Sequence, residues 1–118
     1  MHKIAENGII TLTAGDSLLA PLYLFIDEGS VHKYTLTGTD KVCFAILEPH
    51  QPFECASVRK IFTANNNDEN GDVLVILSPE DTENLRPGLY YYEAKLIVSR
   101  NGVEYVDTVI PKRKFYIL

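Results

Sequence analysis

The fold is decided by residues 77–99, which read LSPEDTENLRPGLYYYEAKLIVS. The last eleven residues of this stretch alternate as a half-buried strand requires, because successive side chains of a strand point to opposite faces. One face is apolar or aromatic throughout, and the other carries the charged residues Glu93 and Lys95. The sequence therefore predicts a long strand over 89–99 whose core-facing residues are Tyr90, Tyr92, Ala94, Leu96 and Val98.

A single helical turn is predicted immediately before that strand. Ser78 is a good N-terminal cap, Pro79 suits the first helical position, and Asp81 stands three residues after the cap. This spacing is that of a capping box. The Pro87-Gly88 pair then ends the turn, so we expect one helical segment, over 79–85, and no other.

Strand-like runs punctuated by turn residues recur at short intervals along the rest of the chain. A helical turn before a Tyr-rich strand is typical of the corner between the two sheets of a β-sandwich, where a tyrosine hydroxyl bonds back to the loop backbone. We expect Tyr90 or Tyr92 to make this bond. The other predicted strands are 9–13, 18–26, 34–36, 42–47, 58–63, 72–77, 103–110 and 114–118. About eight or nine short strands predict an all-β, immunoglobulin-like, two-sheet antiparallel β-sandwich, with residues 1–118 as a single domain.

Several local signals refine this prediction. Pro21 cannot donate to a ladder and therefore favours an edge strand or a bend. The run 42–47 is apolar on both faces, as expected for a central strand. Asn101-Gly102 is a strong hairpin signal. The Asn-rich segment 65–71 is interpreted as a long hairpin loop.

Composition and charge exclude several classes of function. The chain has 118 residues and a formal net charge of −5, whereas a nucleic-acid surface needs clustered Lys and Arg. The basic run 112–114 is interpreted as a solvated turn. No apolar stretch is long enough to span a bilayer and the N-terminus has no secretory signal, so we expect synthesis in a cytoplasm and no membrane insertion.

No catalytic, cofactor-binding or metal-binding constellation is predicted. The acidic residues Glu80, Asp81 and Glu83 are explained by the start of the helical turn. The histidines and cysteines do not have the spacing of a zinc site; they are His2, His32, His50, Cys43 and Cys55. Both cysteine thiols are expected to be reduced. None of the serines lies in a G-x-S-x-G motif, and the glycines do not form the pattern of a phosphate-binding loop.

A possible interaction surface lies on the second face of the long strand. Leu89, Tyr91 and Ile97 make this face partly apolar. Packing under a neighbouring strand or loop explains such residues, and an interface with another subunit, where Tyr is enriched, explains them too. Asn66 and Asn67 in the Asn-rich loop are further candidates for this surface.

The chain resembles the small immunoglobulin-like proteins of tailed bacteriophages and prophages of Gram-positive gut bacteria, and is similar to the N-terminal domain of phage baseplate upper proteins. The resemblance covers most of the chain. It is carried by residues 77–93, Lys95-Leu96, Asn101-Gly102, TVIP at 108–111, FYIL at 115–118, TAGDS at 13–17 and GTDKVCFAI at 38–46.

The resemblance implies a non-enzymatic structural or accessory protein that is made in the host cytoplasm and then built into the virion. Baseplate upper proteins continue into a stalk, whereas this sequence ends at Leu118, so baseplate, tail and head-decoration positions all stay open. The expected partners are other virion proteins, with homo-oligomers favoured because virion parts are symmetric and edge strands offer pairing sites. A module that binds a host-surface glycan or protein is the alternative, and a hydrolase ranks last.

Overall fold

The computed structural model describes residues 2–4, 8–24 and 34–118, with only the backbone described for 2–4. The described chain contains eight strands and one short α-helix. The strands are β1 (His2–Ile4), β2 (Ile10–Leu12), β3 (Leu18–Leu22), β4 (Lys41–Leu47), β5 (Val58–Thr63), β6 (Val73–Leu77), β7 (Gly88–Arg100) and β8 (Val103–Ile117), and the helix is α1 (Pro79–Thr82). No helix in these residues is long and apolar enough to cross a membrane.

The strands form two sheets. One has six strands in the order β1-β2-β8-β7-β4-β5, and the other is the pair β3-β6. The prediction of an all-β, sandwich-like fold is confirmed. The expectation of wholly antiparallel sheets is wrong at one place, because β2 runs parallel to β8, with Ile10 opposite Phe115. Parallel neighbours need a long connection, and the rest of the domain supplies it here.

The core lies between the two sheets and is built by the predicted alternation. Tyr90, Tyr92, Ala94 and Leu96 of β7 are all buried, and Val98 is partly buried. The opposite sheet contributes every second residue of β3 and β6: Leu18, Ala20, Leu22, Val73, Val75 and Leu77. Burial of these apolar side chains is the main stabilising contribution to such a domain.

Strand β4 is covered on both faces, as its uninterrupted apolar run predicts. Its residues from Val42 to Leu47 are all buried. The outer side is covered by Phe53, whose ring lies 5.5 Å from Cζ of Arg59 and 4.5 Å from Nζ of Lys95. Because Arg59 on β5 and Lys95 on β7 flank β4, this ring lies across the outer face of β4. It belongs to a 3₁₀ turn, Phe53–Cys55, that was not predicted.

The corner before β7 confirms the predicted tyrosine bond. The hydroxyl of Tyr90 donates to the carbonyl of Arg86 at 2.9 Å. The helical turn begins at Pro79 as predicted, but it ends at Thr82 rather than at residue 85. The amide of Leu85 bonds to the carbonyl of Thr82, a three-residue closure that tightens the backbone and ends the α-helix.

Tyr92 makes a second link, from the centre of the core to the N-terminal segment. Its hydroxyl donates to the carbonyl of Gly8. Burial raises the pKa of Tyr92, and Arg113 beside it acts in the opposite direction. Gly8 has a φ of +84°, and a Cβ there would lie 2.8 Å from Cδ of Arg113. Only glycine fits this position without strain.

The Asn-rich segment is not the predicted hairpin loop. Strand β5 belongs to the six-stranded sheet and β6 to the two-stranded sheet, so residues 64–72 carry the chain from one sheet to the other. The segment begins with a second unpredicted 3₁₀ turn, Ala64–Asn66. Its one isolated bridge in the described chain joins Asn67 to Val73.

The C-terminal part is one long strand, whereas two strands separated by a solvated turn were predicted. Strand β8 continues from Val103 to Ile117, and its register with β7 shifts between Tyr92 and Lys95. Pro111 lies in this shifted part, where a missing N–H costs no ladder bond. The basic run 112–114 is exposed, as expected, but it lies in the strand and not in a turn.

The remaining strand predictions concern the chain before β4. The predicted strand 34–36 is not formed: the amide of Tyr34 donates to the carbonyl of Leu24 at 2.8 Å, and the carbonyl of Leu36 accepts from the side chain of Asn67 in place of a strand neighbour. Pro21 lies exposed in β3, an edge strand as predicted. The end of the predicted strand 18–26 lies outside the described residues.

Candidate functional site

The β7–β8 hairpin extends beyond the rest of its sheet. The pairing of β4 with β7 ends at Lys41 and Ile97, so the rows beyond Ile97 contain only two strands in the described chain. We call residues 97–106 the arm. At its tip Asn101 has a φ of +52° and Gly102 a φ of +77°, the conformation of the tight turn that matches the twist of paired strands.

The arm exposes large apolar side chains. Val103 is 51% exposed, Tyr105 is 59% exposed and Val106 is 60% exposed. Scattered exposed apolar residues are ordinary on a protein surface. Because successive side chains of a strand alternate, Val103 and Tyr105 lie on one face of the arm and Val106 on the other, so the projecting hairpin exposes apolar side chains on both of its faces.

A groove lies on the core-facing side of the arm. It has a volume of about 350 Å³ and is lined by Tyr34, Leu96, Val98, Arg100, Tyr105 and Asp107. In the ladder Leu96 is opposite Asp107 and Val98 is opposite Tyr105, so these four residues lie on one face. The groove is therefore the continuation of the inner face of the six-stranded sheet past the end of the core.

Polar groups close one wall of the groove. The hydroxyl of Tyr34 donates to the carboxylate of Asp40, and the amide of Thr37 donates to the same oxygen at 3.2 Å. The hydrogen bond to Asp40, together with burial, raises the pKa of Tyr34, and Arg100 acts in the opposite direction. Tyr34 is thus held as a neutral phenol between a carboxylate and a guanidinium.

The lining of the groove has the composition of a binding site. Its floor is apolar, at Leu96 and Val98, and its rim offers two tyrosines, one cation and one anion. An apolar floor with a few placed polar groups is the common form of a binding site. Among residues 8–24 and 34–118, no group of three or more His, Cys, Asp and Glu side chains comes together as a metal site.

The predicted surface residues of β7 do share one face. Leu89, Tyr91 and Ile97 lie on the outer side of the six-stranded sheet and are each partly buried. Leu89 is opposite Tyr116, and Tyr91 is opposite Lys114. Cross-strand packing accounts for part of their burial, and their role in an interface stays a prediction.

The two asparagines of the predicted surface hold the connection between the sheets. The side-chain oxygen of Asn66 accepts from the amide of Thr63 at 3.0 Å, and the amide group of Asn67 donates to the carbonyl of Leu36 at 3.0 Å. Both residues are only partly exposed. The structure does not place them on the sheet face that carries Tyr91.

The acidic residues near α1 are engaged in local structure. The carboxylate of Asp81 accepts from the amide and the hydroxyl of Ser78 and lies 3.2 Å from Nζ of Lys60. Burial alone would raise the pKa of Asp81, but the hydrogen bonds from Ser78 and Lys60 outweigh it and lower the pKa. The pKa of Glu80 is lowered by its own backbone amide and by Ser78.

The remaining candidates of the sequence are spread over the molecule. Cys43 is buried and Cys55 is exposed, and both are free thiols. His50 is exposed in the turn after β4, with a φ of +69°. The side chain of His2, and all of His32, lie outside the described residues.

Sequence reasoning missed the groove and the arm. Tyr105 and Asp107 alternate on one face of a predicted strand next to the Asn-Gly turn, and this pattern could have indicated an exposed aromatic at a hairpin end. Tyr34 could not have been added, because it is brought to the groove by the path of the chain before β4.

Comparison of the chain with models of known families, with curated proteins and with solved structures gives no match.

Proposed function

We propose that the chain is a non-enzymatic structural or accessory protein of a phage or prophage virion that works through protein–protein contacts made by the arm. The observation that carries the contact role is the exposure of large apolar side chains on both faces of the arm, Val103 and Tyr105 on one face and Val106 on the other. Aromatic residues are enriched at the centres of protein interfaces. The virion context rests on the sequence resemblance, and a baseplate, tail or head position is compatible with it.

The topology supports an immunoglobulin-like version of the sandwich. Strands β2, β8, β7, β4 and β5 form one sheet and β3 faces them with β6. The connections from β3 to β4, from β5 to β6 and from β6 to β7 each change sheet. A tyrosine bond at the corner before β7 accompanies this arrangement, and such a bond is characteristic of immunoglobulin-like domains.

Purified particles test the proposal. Particles induced from a lysogen that encodes the chain are separated on a density gradient, and the chain is quantified by immunoblot against the major capsid protein. We expect a fixed ratio of the two proteins across the particle peak. Recovery of the chain only in the soluble fractions at the top of the gradient would contradict a place in the virion.

Binding of a host-surface glycan is a second candidate, and the groove favours it. Tyr34 and Tyr105 offer ring faces, and Arg100 and Asp107 offer a charged donor and a charged acceptor. Aromatic rings beside polar groups suit the mixed apolar and polar faces of a sugar. A glycan array with wild type and Tyr105→Ala separates the two candidates: a signal lost in the variant supports glycan binding, and no signal with either protein removes it.

A further inference from the structure

The outer face of the six-stranded sheet collects cations that are far apart in the sequence. Successive side chains of a strand point to opposite faces, so the ladder pairs assign each residue to one face. Lys95 of β7 is opposite Cys43 of β4, and Lys114 of β8 is opposite Tyr91 of β7. Of the eleven Lys and Arg residues in the chain, five lie on this outer face, and we call them the basic face: Lys41, Arg59, Lys95, Lys112 and Lys114.

The cations of the basic face are not neutralised by the chain itself. None of the five forms an ion pair with a carboxylate among the described residues, whereas Lys60, on the other face of β5, pairs with Asp81. Neighbouring strands are only about 5 Å apart, which is less than the Debye length of about 8–10 Å at physiological salt. The unpaired cations therefore repel one another, and an anionic partner would relieve this repulsion.

The outer face stays positive when the acidic residues on it or beside it are counted. Glu93 lies among the cations, opposite Lys112 in the shifted part of the ladder. Glu54 lies in the turn that carries Phe53, and Glu104 lies near the tip of the arm. These three acids do not balance five cations, although the whole chain has a net charge of −5. The basic face is therefore a local positive field on an acidic protein, and such a field attracts anions.

Two cations of the basic face are held in position by an aromatic ring. Cζ of Arg59 lies 5.5 Å from the centre of the Phe53 ring, and Nζ of Lys95 lies 4.5 Å from it. Both distances are within the range of cation–π attraction. Because these two side chains are already ordered on the ring, they lose less conformational entropy when a carboxylate binds them.

Apolar side chains on the same face indicate which kind of anion it binds. Ile61 and Val106 are each 60% exposed. Ile61 is opposite Cys43 and Val106 is opposite Ile97, so both share the face with the cations. Phosphate polymers bind mainly through their charges, and Glu93 among the cations disfavours an unbroken row of phosphates. Protein interfaces combine apolar contacts with charged ones, so this mixture of side chains favours a protein partner.

We propose that the basic face binds an acidic segment of a partner protein. Carboxylates of that segment contact the five cations, and its apolar side chains pack on Ile61, Ile97 and Val106. The surface lies mainly on the sandwich, so it adds a second contact region to the arm. The inference goes beyond the proposed function and does not rest on the virion role. It is tested on the purified chain, and failure of either proposal leaves the other standing.

Synthetic peptides serve as probes of the full chain in fluorescence anisotropy. The acidic probe is an amphipathic peptide of glutamate and leucine. Two peptides of equal length replace its glutamates by lysine or its leucines by serine. We expect the acidic probe to bind, the serine peptide to bind more weakly and the lysine peptide not to bind. Binding of the acidic probe should weaken as the salt concentration rises, because exposed charges are screened.

Charge variants locate the contact on the basic face. Lys114→Glu should weaken binding of the acidic probe by about fivefold, and Glu93→Lys should strengthen it by a similar factor. The matched controls make the same changes in net charge at exposed positions of the turn between α1 and β7. They are Arg86→Glu and Glu83→Lys, and both should bind the acidic probe like the wild type.

Three results would overturn the proposal. The first is a wild type that does not bind the acidic probe at millimolar concentration. The second is binding that Lys114→Glu and Arg86→Glu weaken equally, since the net charge of the chain would then be its cause. The third is preferential binding of a DNA duplex over the acidic probe at physiological salt, which would assign the basic face to nucleic acid.

Discussion

The hydroxyl of Tyr90 donates a hydrogen bond of 2.9 Å to the carbonyl of Arg86, four residues earlier in the chain. The bond fixes the path from α1 into β7, the strand that contributes to the core, to the outer face and to the arm. Tyr90 itself is buried, so its ring anchors the strand in the core while its hydroxyl holds the corner.

Removal of this hydroxyl should cost stability without changing the fold. Tyr90→Phe keeps the ring and leaves the Arg86 carbonyl without its donor, so we expect the free energy of unfolding to fall by about 1 kcal/mol. Urea denaturation followed by circular dichroism measures the change. Tyr105→Phe, on a ring that is 59% exposed, is the control and should have no effect. An equal loss in both variants would show that the corner bond is not the cause.

Asp81 should make stability depend on pH in the acid range. Its pKa in the folded protein is lower than the ordinary value of 3.8. Because the pKa of Asp81 is lower in the folded protein than in the unfolded chain, its carboxylate stabilises the fold above pH 3.8. This stabilisation is lost as the pH falls through the pKa of Asp81 in the folded protein.

Asp81→Asn should therefore reduce the free energy of unfolding at pH 7 by about 1 kcal/mol, and the difference from wild type should shrink below pH 3.8. Urea denaturation at pH 7, 4 and 2.5 measures this trend. Glu83→Gln, on an exposed neighbour, serves as the control. A difference that is the same at all three pH values would argue against the carboxylate as the stabilising group.

A side chain at Gly102 should destabilise the tip of the arm. Its φ of +77° costs an ordinary residue about 1–2 kcal/mol, although a Cβ there would meet nothing within 4 Å. Gly102→Ala should therefore speed hydrogen exchange of arm amides while core amides of β4 keep their protection. Asn101→Gly should leave exchange of the arm unchanged or slightly faster. Unaltered exchange in Gly102→Ala would mean that the turn has a different conformation.

Phe53 should protect the thiol of Cys43. The ring lies between Arg59 and Lys95, across the outer face of β4, and Cys43 is only 2% exposed. In a Cys55→Ser background, Phe53→Ala should make Cys43 react roughly tenfold faster with a thiol reagent, because a buried thiol reacts only when its cover opens. Glu54→Ala, an exposed neighbour in the same turn, should keep the slow rate. Equal rates in the two variants would assign the cover to other residues.

Much of the fold follows from local patterns, and the residues show why. The alternation from Tyr90 to Val98 predicts the inner face of β7, and the Ser78–Asp81 spacing predicts the start of α1, because both depend only on neighbours in sequence. The choice of sheet is not local. Strands β5 and β6 look like a hairpin along the chain, yet packing of β6 against β3 places them in different sheets.

The candidate site was harder to predict than the fold. The alternation correctly placed Leu89, Tyr91 and Ile97 on one face. It could not indicate the groove, which exists because the pairing of β4 ends at Lys41, opposite Ile97, while β7 continues. Nor could the alternation show that the predicted strands 103–110 and 114–118 are parts of one strand. A proline between two strand-like runs suggests a break, but a register shift within a single strand accommodates a proline as well.

Incorporation of an armless chain into particles is the most direct measurement of the central claim that the arm makes the contacts. Replacement of residues 97–106 by Asn-Gly joins Leu96 to Asp107, which are opposite each other in the ladder, and keeps a two-residue hairpin turn. With its circular dichroism spectrum unchanged, this variant should be missing from purified particles that contain the wild type. Particles that carry the armless chain and the wild type in equal amounts would contradict the claim.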